Sequence, residues 1–111
     1  MDNFKRGTFT DTEGNFHKGW VFLWHGYEMI ICKHKGGWTA FEPNTGRRIT
    51  RLHQEKSPNR TKLAAFIQCI SILNKFGEEE LRKHIEEHIQ PERAERYIRF
   101  HKMGIPDDAN F

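Results

Sequence analysis

Phe16-His17-Lys18-Gly19-Trp20-Val21-Phe22-Leu23-Trp24-His25-Gly26-Tyr27-Glu28-Met29-Ile30-Ile31-Cys32 decides how this chain folds. Two runs of strong strand formers meet across His25-Gly26, a two-residue link ending in glycine, which is the signal for a tight β-hairpin. Alternation sends Trp20, Phe22 and Trp24 to one face and Val21 and Leu23 to the other, so the first of these strands is expected to be central and buried on both faces. His25 is expected to adopt a positive φ, which histidine tolerates better than bulky residues do.

Working outward, Asp11-Thr12-Glu13-Gly14-Asn15 is a cluster of turn formers between Thr8–Thr10 and Phe16–Trp24, and it predicts a preceding hairpin. Lys35-Gly36-Gly37 turns the chain again. Trp38–Glu42 and Arg47–Leu52 then flank Pro43-Asn44-Thr45-Gly46, a type I turn followed by a left-handed glycine. The expectation is a five-stranded antiparallel meander over residues 4–53.

Helices are expected over residues 58–103. Ser57 or Asn59 can cap the first, with Pro58 at its first helical position, and Gly77 ends it after Phe76. Its apolar residues occupy more than one stripe, which predicts burial round most of its circumference, with Phe66 and Ile70 on the sheet. A second helix, Glu78 to Gln90, carries the narrow stripe Leu81, Ile85 and Ile89. Pro91 opens a third, in which Glu92 can reach Arg96 and Glu95 can reach Arg99, with Ala94, Tyr97, Ile98 and His101 turned inward. The fold class is α+β: a single domain over residues 1–111, with the first helix packed on the sheet and a short tail over 104–111.

Composition agrees with a packed domain. Of the 111 residues 36% are hydrophobic and 13% aromatic, and those rings supply large buried areas. Cys32 and Cys69 lie in apolar runs without metal-knuckle spacing and are expected to be buried free thiols. No apolar stretch approaches the ~18 residues of a membrane span, and no signal-peptide core is present. A cytoplasmic location is therefore expected.

The formal net charge is +3, unevenly placed. Residues 1–62 hold eleven Lys and Arg against six acids, whereas residues 63–111 hold seven against nine. Between Pro43 and Gly77, Arg47, Arg48, Arg51, Lys56, Arg60, Lys62 and Lys75 face only Glu55. Arg47, Arg48, Arg51, Lys56, Arg60 and Lys62 are the candidate partner-binding residues, a basic strand-and-loop edge whose arginine forks suit phosphate or carboxylate. Charged side chains on an edge strand also prevent edge-to-edge pairing, a role that needs no partner.

His84-Ile85-Glu86-Glu87-His88 matches the H-x-x-E-H pattern of inverted zinc peptidases, two imidazoles one helical turn apart beside a carboxylate. Catalytic zinc needs three protein ligands in a cleft, and no third ligand is evident, so His84 and His88 are retained only as candidates and no metal or cofactor is expected. Ser57, Ser71, Cys32 and Cys69 sit in no nucleophile elbow, and there is no phosphate-binding glycine loop. Trp20, Trp24 and Trp38 could stack on unpaired bases if a sheet face is open, although such rings more often build a core.

Trp38-Thr39-Ala40-Phe41, Thr45-Gly46-Arg47-Arg48-Ile49 and Thr61-Lys62-Leu63-Ala64-Ala65 together resemble the hairpin-then-helix module of small proteins of phages and mobile elements. The resemblance implies a small accessory protein that works by binding, a class that includes inhibitors of host-defence nucleases. The expected function is thus a non-enzymatic binding protein that engages a protein or a protein–nucleic-acid complex through the basic edge. Direct nucleic-acid binding is the alternative, and a small metal-dependent enzyme using His84 and His88 is the third possibility.

Overall fold

The computed structural model of the chain describes residues 4–34, 36–49 and 59–102. Five strands, β1 (Lys5–Thr10), β2 (Phe16–Trp24), β3 (Tyr27–His34), β4 (Gly37–Glu42) and β5 (Arg47–Arg48), form one antiparallel sheet in chain order. Helices α1 (Lys62–Phe76), α2 (Glu78–His88) and α3 (Pro91–Tyr97) follow, and a π-helical turn over Ile98–Lys102 continues the last. α1 packs on β3 and β4, which gives the expected α+β arrangement.

Turn chemistry sets the register. His25 at φ 49° and Gly26 at φ 81° place both residues of the β2–β3 link in the left-handed region, the conformation that matches strand twist in two-residue hairpins. After β4, the buried Glu42 carboxylate organises the turn that the sequence reads through its glycine. Its Oε2 accepts the Asn44 N–H at 3.0 Å and its Oε1 accepts the Thr45 N–H at 2.7 Å. Burial pushes this carboxyl upward in pKa, opposed in part by those donors. Gly46 has φ 75°, and a Cβ there would lie 2.6 Å from the Thr10 carbonyl oxygen, so only glycine fits.

That close approach reflects a curled sheet. Although β1 and β5 are opposite edges in strand order, the Thr12 N–H donates to the Gly46 carbonyl at 3.3 Å. Gln90 reinforces the contact: its Nε2 donates to the Thr10 carbonyl at 3.1 Å and its N–H to the Asn44 carbonyl at 2.9 Å.

The curl divides the core in two. Phe22, Trp24, Met29 and Ile31 face the helices and pack with Cys69, Leu73, Leu81, Ile85 and Tyr97. Phe9, Val21, Ile30, Cys32 and Phe41 fill the inside of the curl. β2 and β3 are therefore buried on both faces over Val21–Trp24 and Tyr27–Cys32, except at Leu23, which is 42% exposed. Cys32 and Cys69 are buried free thiols.

Several boundaries differ from expectation. β5 keeps strand pairing only over Arg47–Arg48, because Ile49 leaves the ladder and is buried in the core. Residues 50–58, with Ser57 and Pro58, lie outside the described residues. α1 starts at Lys62 because Asn59 continues the sheet, exchanging backbone hydrogen bonds with Trp38 at 2.7 and 2.9 Å. Thr61 is the cap, its hydroxyl accepting the Ala64 N–H at 3.0 Å. α1 is not buried all round: Leu63 and Ile67 face solvent, while Phe66 packs against Phe4 and Phe22. α2 ends at His88, where Ile89 turns to extended backbone before Pro91. Ile98 is exposed rather than inward, since the π-helical turn rotates the residues after Tyr97.

Candidate functional site

The described members of the basic set singled out in the sequence, Arg47, Arg48, Arg60 and Lys62, are not gathered at one place. Arg47 and Arg48 pair with Glu42 and Phe41 at the far end of β4, whereas Asn59, next to Arg60, bridges Trp38 near its start. Three to four strand residues separate the two groups, about 10–13 Å at strand rise. Alternation also splits the arginines. Arg47 Nη2 lies 3.4 Å from His88 Nδ1 on α2, and Arg48 borders a small depression with Asp11, Glu13 and His34 on the other side of the sheet. Arg51 and Lys56 are outside the described residues.

Lys62 belongs to a different surface. Its Nζ lies 4.4 Å from the centroid of the Trp20 ring, and the Arg6 guanidinium carbon lies 4.6 Å from the same centroid. These distances are within cation–π range. Arg6 faces Trp20 directly across the β1–β2 ladder, and Lys18 and Phe16 follow at two-residue steps on the same face. Lys33, paired with Trp38 across β3–β4, places its Nζ 5.5 Å from that ring's centroid. Lys18, Lys33 and Phe16 are exposed, and Trp20 and Trp38 are half-buried. The residues of these cross-strand rows, Arg6, Thr8, Thr10, Phe16, Lys18, Trp20, Lys33 and Trp38, include no acid. Helix packing explains the opening: α1 lies over β3 and β4 and meets β2 at Phe22 and Trp24 through Phe66 and Asn74, which leaves the Phe16–Trp20 end of β2 to long side chains such as Lys62.

His84 and His88 are neighbours, with ring centroids 5.0 Å apart and Phe76 against His84. Among the described residues no group of three or more His, Cys, Asp and Glu is placed to hold a metal ion. Burial, followed by the nearby Arg47 charge, lowers the His84 pKa and favours the neutral ring. Inside the curl, His17 Nε2 lies 2.7 Å from Asp11 Oδ2 in a carboxylate–imidazole pair that the sequence did not reveal. Cys32 is buried in the same cluster, but burial and then the Asp11 charge push its thiol up to about 11, which works against a thiolate nucleophile.

A further ion-pair group links α3 to β3. Arg96 makes a two-pronged contact with the Glu28 carboxylate, with Nη2 to Oε2 at 2.9 Å, and Arg93 Nη2 lies 3.6 Å from Oε1. Arg99 pairs with Glu95 at 2.9 Å as their spacing predicts. Comparison of the chain with protein families, curated proteins and solved structures returns no match. No helix among the described residues is long and apolar enough to cross a membrane.

Proposed function

We propose that this chain is a non-enzymatic binding protein whose partner is single-stranded nucleic acid, held on the open β1–β2 face. The observation that carries this reading is the Trp20 ring with Arg6 and Lys62 against it, beside Lys18, Lys33 and Trp38 on a surface whose strand rows contain no acid. Cations spaced along a groove track phosphates, and neighbouring rings accept bases of any sequence. The relevant cations are thus Arg6, Lys18, Lys33 and Lys62, with Arg60 next to the last, while Arg47 and Arg48 are engaged elsewhere.

Titration of an unstructured oligonucleotide, followed by tryptophan fluorescence at several salt concentrations, tests the reading. Changing Lys18 and Lys33 to Glu should abolish binding at moderate salt and leave the fold intact, because both side chains are exposed. Milder Gln substitutions should flatten the slope of log K against log salt by about 0.7 for each phosphate that is no longer neutralised. A wild-type chain that fails to bind at low salt refutes the proposal. The phage-type accessory role implied by the hairpin-then-helix resemblance is a proposal of the same rank with a protein partner, for which salt acts mainly on the association rate.

A further inference from the structure

We propose that the outer edge of β1 takes up an extended peptide of a protein partner, one in which acidic residues alternate with an apolar residue, as an added strand of the sheet. Backbone geometry carries this, so it does not rest on nucleic-acid binding even though Arg6 and Lys18 belong to both surfaces. Trp24 and Tyr27 flank the two-residue link and form a hydrogen-bonded pair, so the even-numbered residues of β2 bond to β3 and the odd-numbered ones to β1. On β1 their partners Lys5, Gly7 and Phe9 bond inward, and Arg6, Thr8 and Thr10 turn their N–H and C=O groups away from the sheet.

At one end of this edge the outward groups are taken. The Thr10 carbonyl accepts Gln90 Nε2 at 3.1 Å, and the Thr12 N–H, next in the outward series, donates to the Gly46 carbonyl at 3.3 Å. At the other end no hydrogen bond joins the outward groups of Arg6 or Thr8 to another described residue. Both residues are exposed, and both border a cavity of about 510 Å³ on the inner side of the curl. Alternation sends their side chains to the opposite face, so it is their backbone that meets this cavity.

A strand edge with open donors and acceptors is a template for another chain, and the flanking side chains select which one. In an antiparallel added strand, the residues opposite Arg6 and Thr8 exchange hydrogen bonds with them and point to the Trp20 face, while the residue between points past Gly7 into the cavity. On the Trp20 face those positions adjoin Arg6, which lies on the Trp20 ring, and Lys18, which faces Thr8 across the ladder. Neither cation is ion-paired among the described residues, so acidic side chains complement them. On the inner face the intervening residue meets Val21, Ile30 and Pro43, an apolar wall that suits an apolar side chain. Glu28 also borders the cavity, but Arg96 grips it and it lies on the face away from the acids of the added strand. A second copy of β1 fits less well, because Lys5–Thr10 contains no acid to offer Arg6 and Lys18.

Titration of the full chain into a labelled, end-blocked peptide of alternating aspartate and valine, followed by fluorescence anisotropy, provides the test. The peptide should bind saturably, and its counterpart with lysine in place of aspartate should not. N-methylation separates pairing from charge: on the aspartate amides, which face Arg6 and Thr8, it should weaken binding by about tenfold or more, and on the valine amides, which face away, it should have little effect. Thr8→Pro removes an N–H that β2 does not use, so the sheet should persist while binding falls by about tenfold. The methylated pair gives the answer on its own if that variant does not fold. No saturable binding at millimolar peptide, equal binding of the lysine peptide, equal effects of the two methylation patterns, or unchanged binding by a folded Thr8→Pro would overturn the proposal and leave the cations of β1 as protection against edge pairing.

Discussion

Replacing Asp11 with Ala should remove the organiser of the first hairpin. The Asp11 Oδ1 accepts the N–H groups of Glu13 and Asn15, each at 2.9 Å, while Oδ2 holds His17 Nε2 at 2.7 Å and Asn15 Nδ2 at 3.3 Å. Burial works against the charged form, but the His17 contact and the backbone donors outweigh it and hold the carboxyl at about 2 rather than 3.8. By linkage that difference corresponds to roughly 2 kcal/mol of stability. Because the folded pKa lies below the unfolded one, the contribution is fully present above about pH 4 and disappears as pH falls through about 2. Urea melts of the wild type and Asp11→Ala across this window measure it. The variant should be weaker by roughly 2 kcal/mol at pH 7, with the gap narrowing as the wild-type carboxylate protonates. A gap below ~0.5 kcal/mol at pH 7, or one that does not change with pH, would refute the reasoning.

Other expectations are simpler to check. Phe66→Ala, which removes a ring packed against Phe4 and Phe22, should cost roughly 3 kcal/mol in denaturant melts, at the low end for a core aromatic because Phe66 is half-buried. Leu81→Ala should cost about 2–5 kcal/mol, since that side chain is fully buried between α2 and the core, whereas Leu63→Ala on the exposed side of α1 should cost less than ~1 kcal/mol. Thiol-labelling kinetics at Cys69, whose pKa burial drives far upward, should follow global unfolding; rapid labelling of the native chain would place that helix face wrongly. Elemental analysis should find no stoichiometric zinc, and about one zinc per chain that disappears in His84→Ala would revive the metal reading of the H-x-x-E-H run.

The local parts of this architecture were legible because they depend on local chemistry. His25-Gly26 and the glycine after Asn44-Thr45 announce their turns through backbone conformations that few residues adopt, and once two turns are fixed the strand register between them follows. The helix end at Gly77 and the helix start at Pro91 were visible for the same reason. The start of α1 was not, since Asn59 prefers a sheet partner, Trp38, that lies twenty-one residues away and is invisible to a capping rule.

Long-range geometry also explains why the described cations of that stretch are separated. Counting cations along residues 47–62 treats neighbours in sequence as neighbours in space, yet Arg47 and Arg48 pair with the end of β4 and Asn59 with Trp38 near its start. Lys62 meets Arg6 over Trp20 instead. The Arg6–Trp20 pairing could have been found by counting back from the Asp11–Asn15 turn. Nothing in the sequence pairs Glu28 with Arg96, because that contact depends on where α3 settles after two helical connections.

Gln90 ties together pieces that leave the ribosome far apart in time. Its amide and backbone bind carbonyls of residues 10 and 44, the first eighty positions earlier in the chain. The two turns that meet at Gly46 can each form early, but the stitch that holds the curl cannot close until the segment after α2 has emerged. Closing so large a loop carries an entropic penalty before any contact repays it, and non-local closure of this kind slows folding. Until then the interior cluster around Val21 and Ile30 remains open on one side. Nascent chains of this protein should therefore stay protease-sensitive in their strands until synthesis has passed Gln90, and become resistant in one late step.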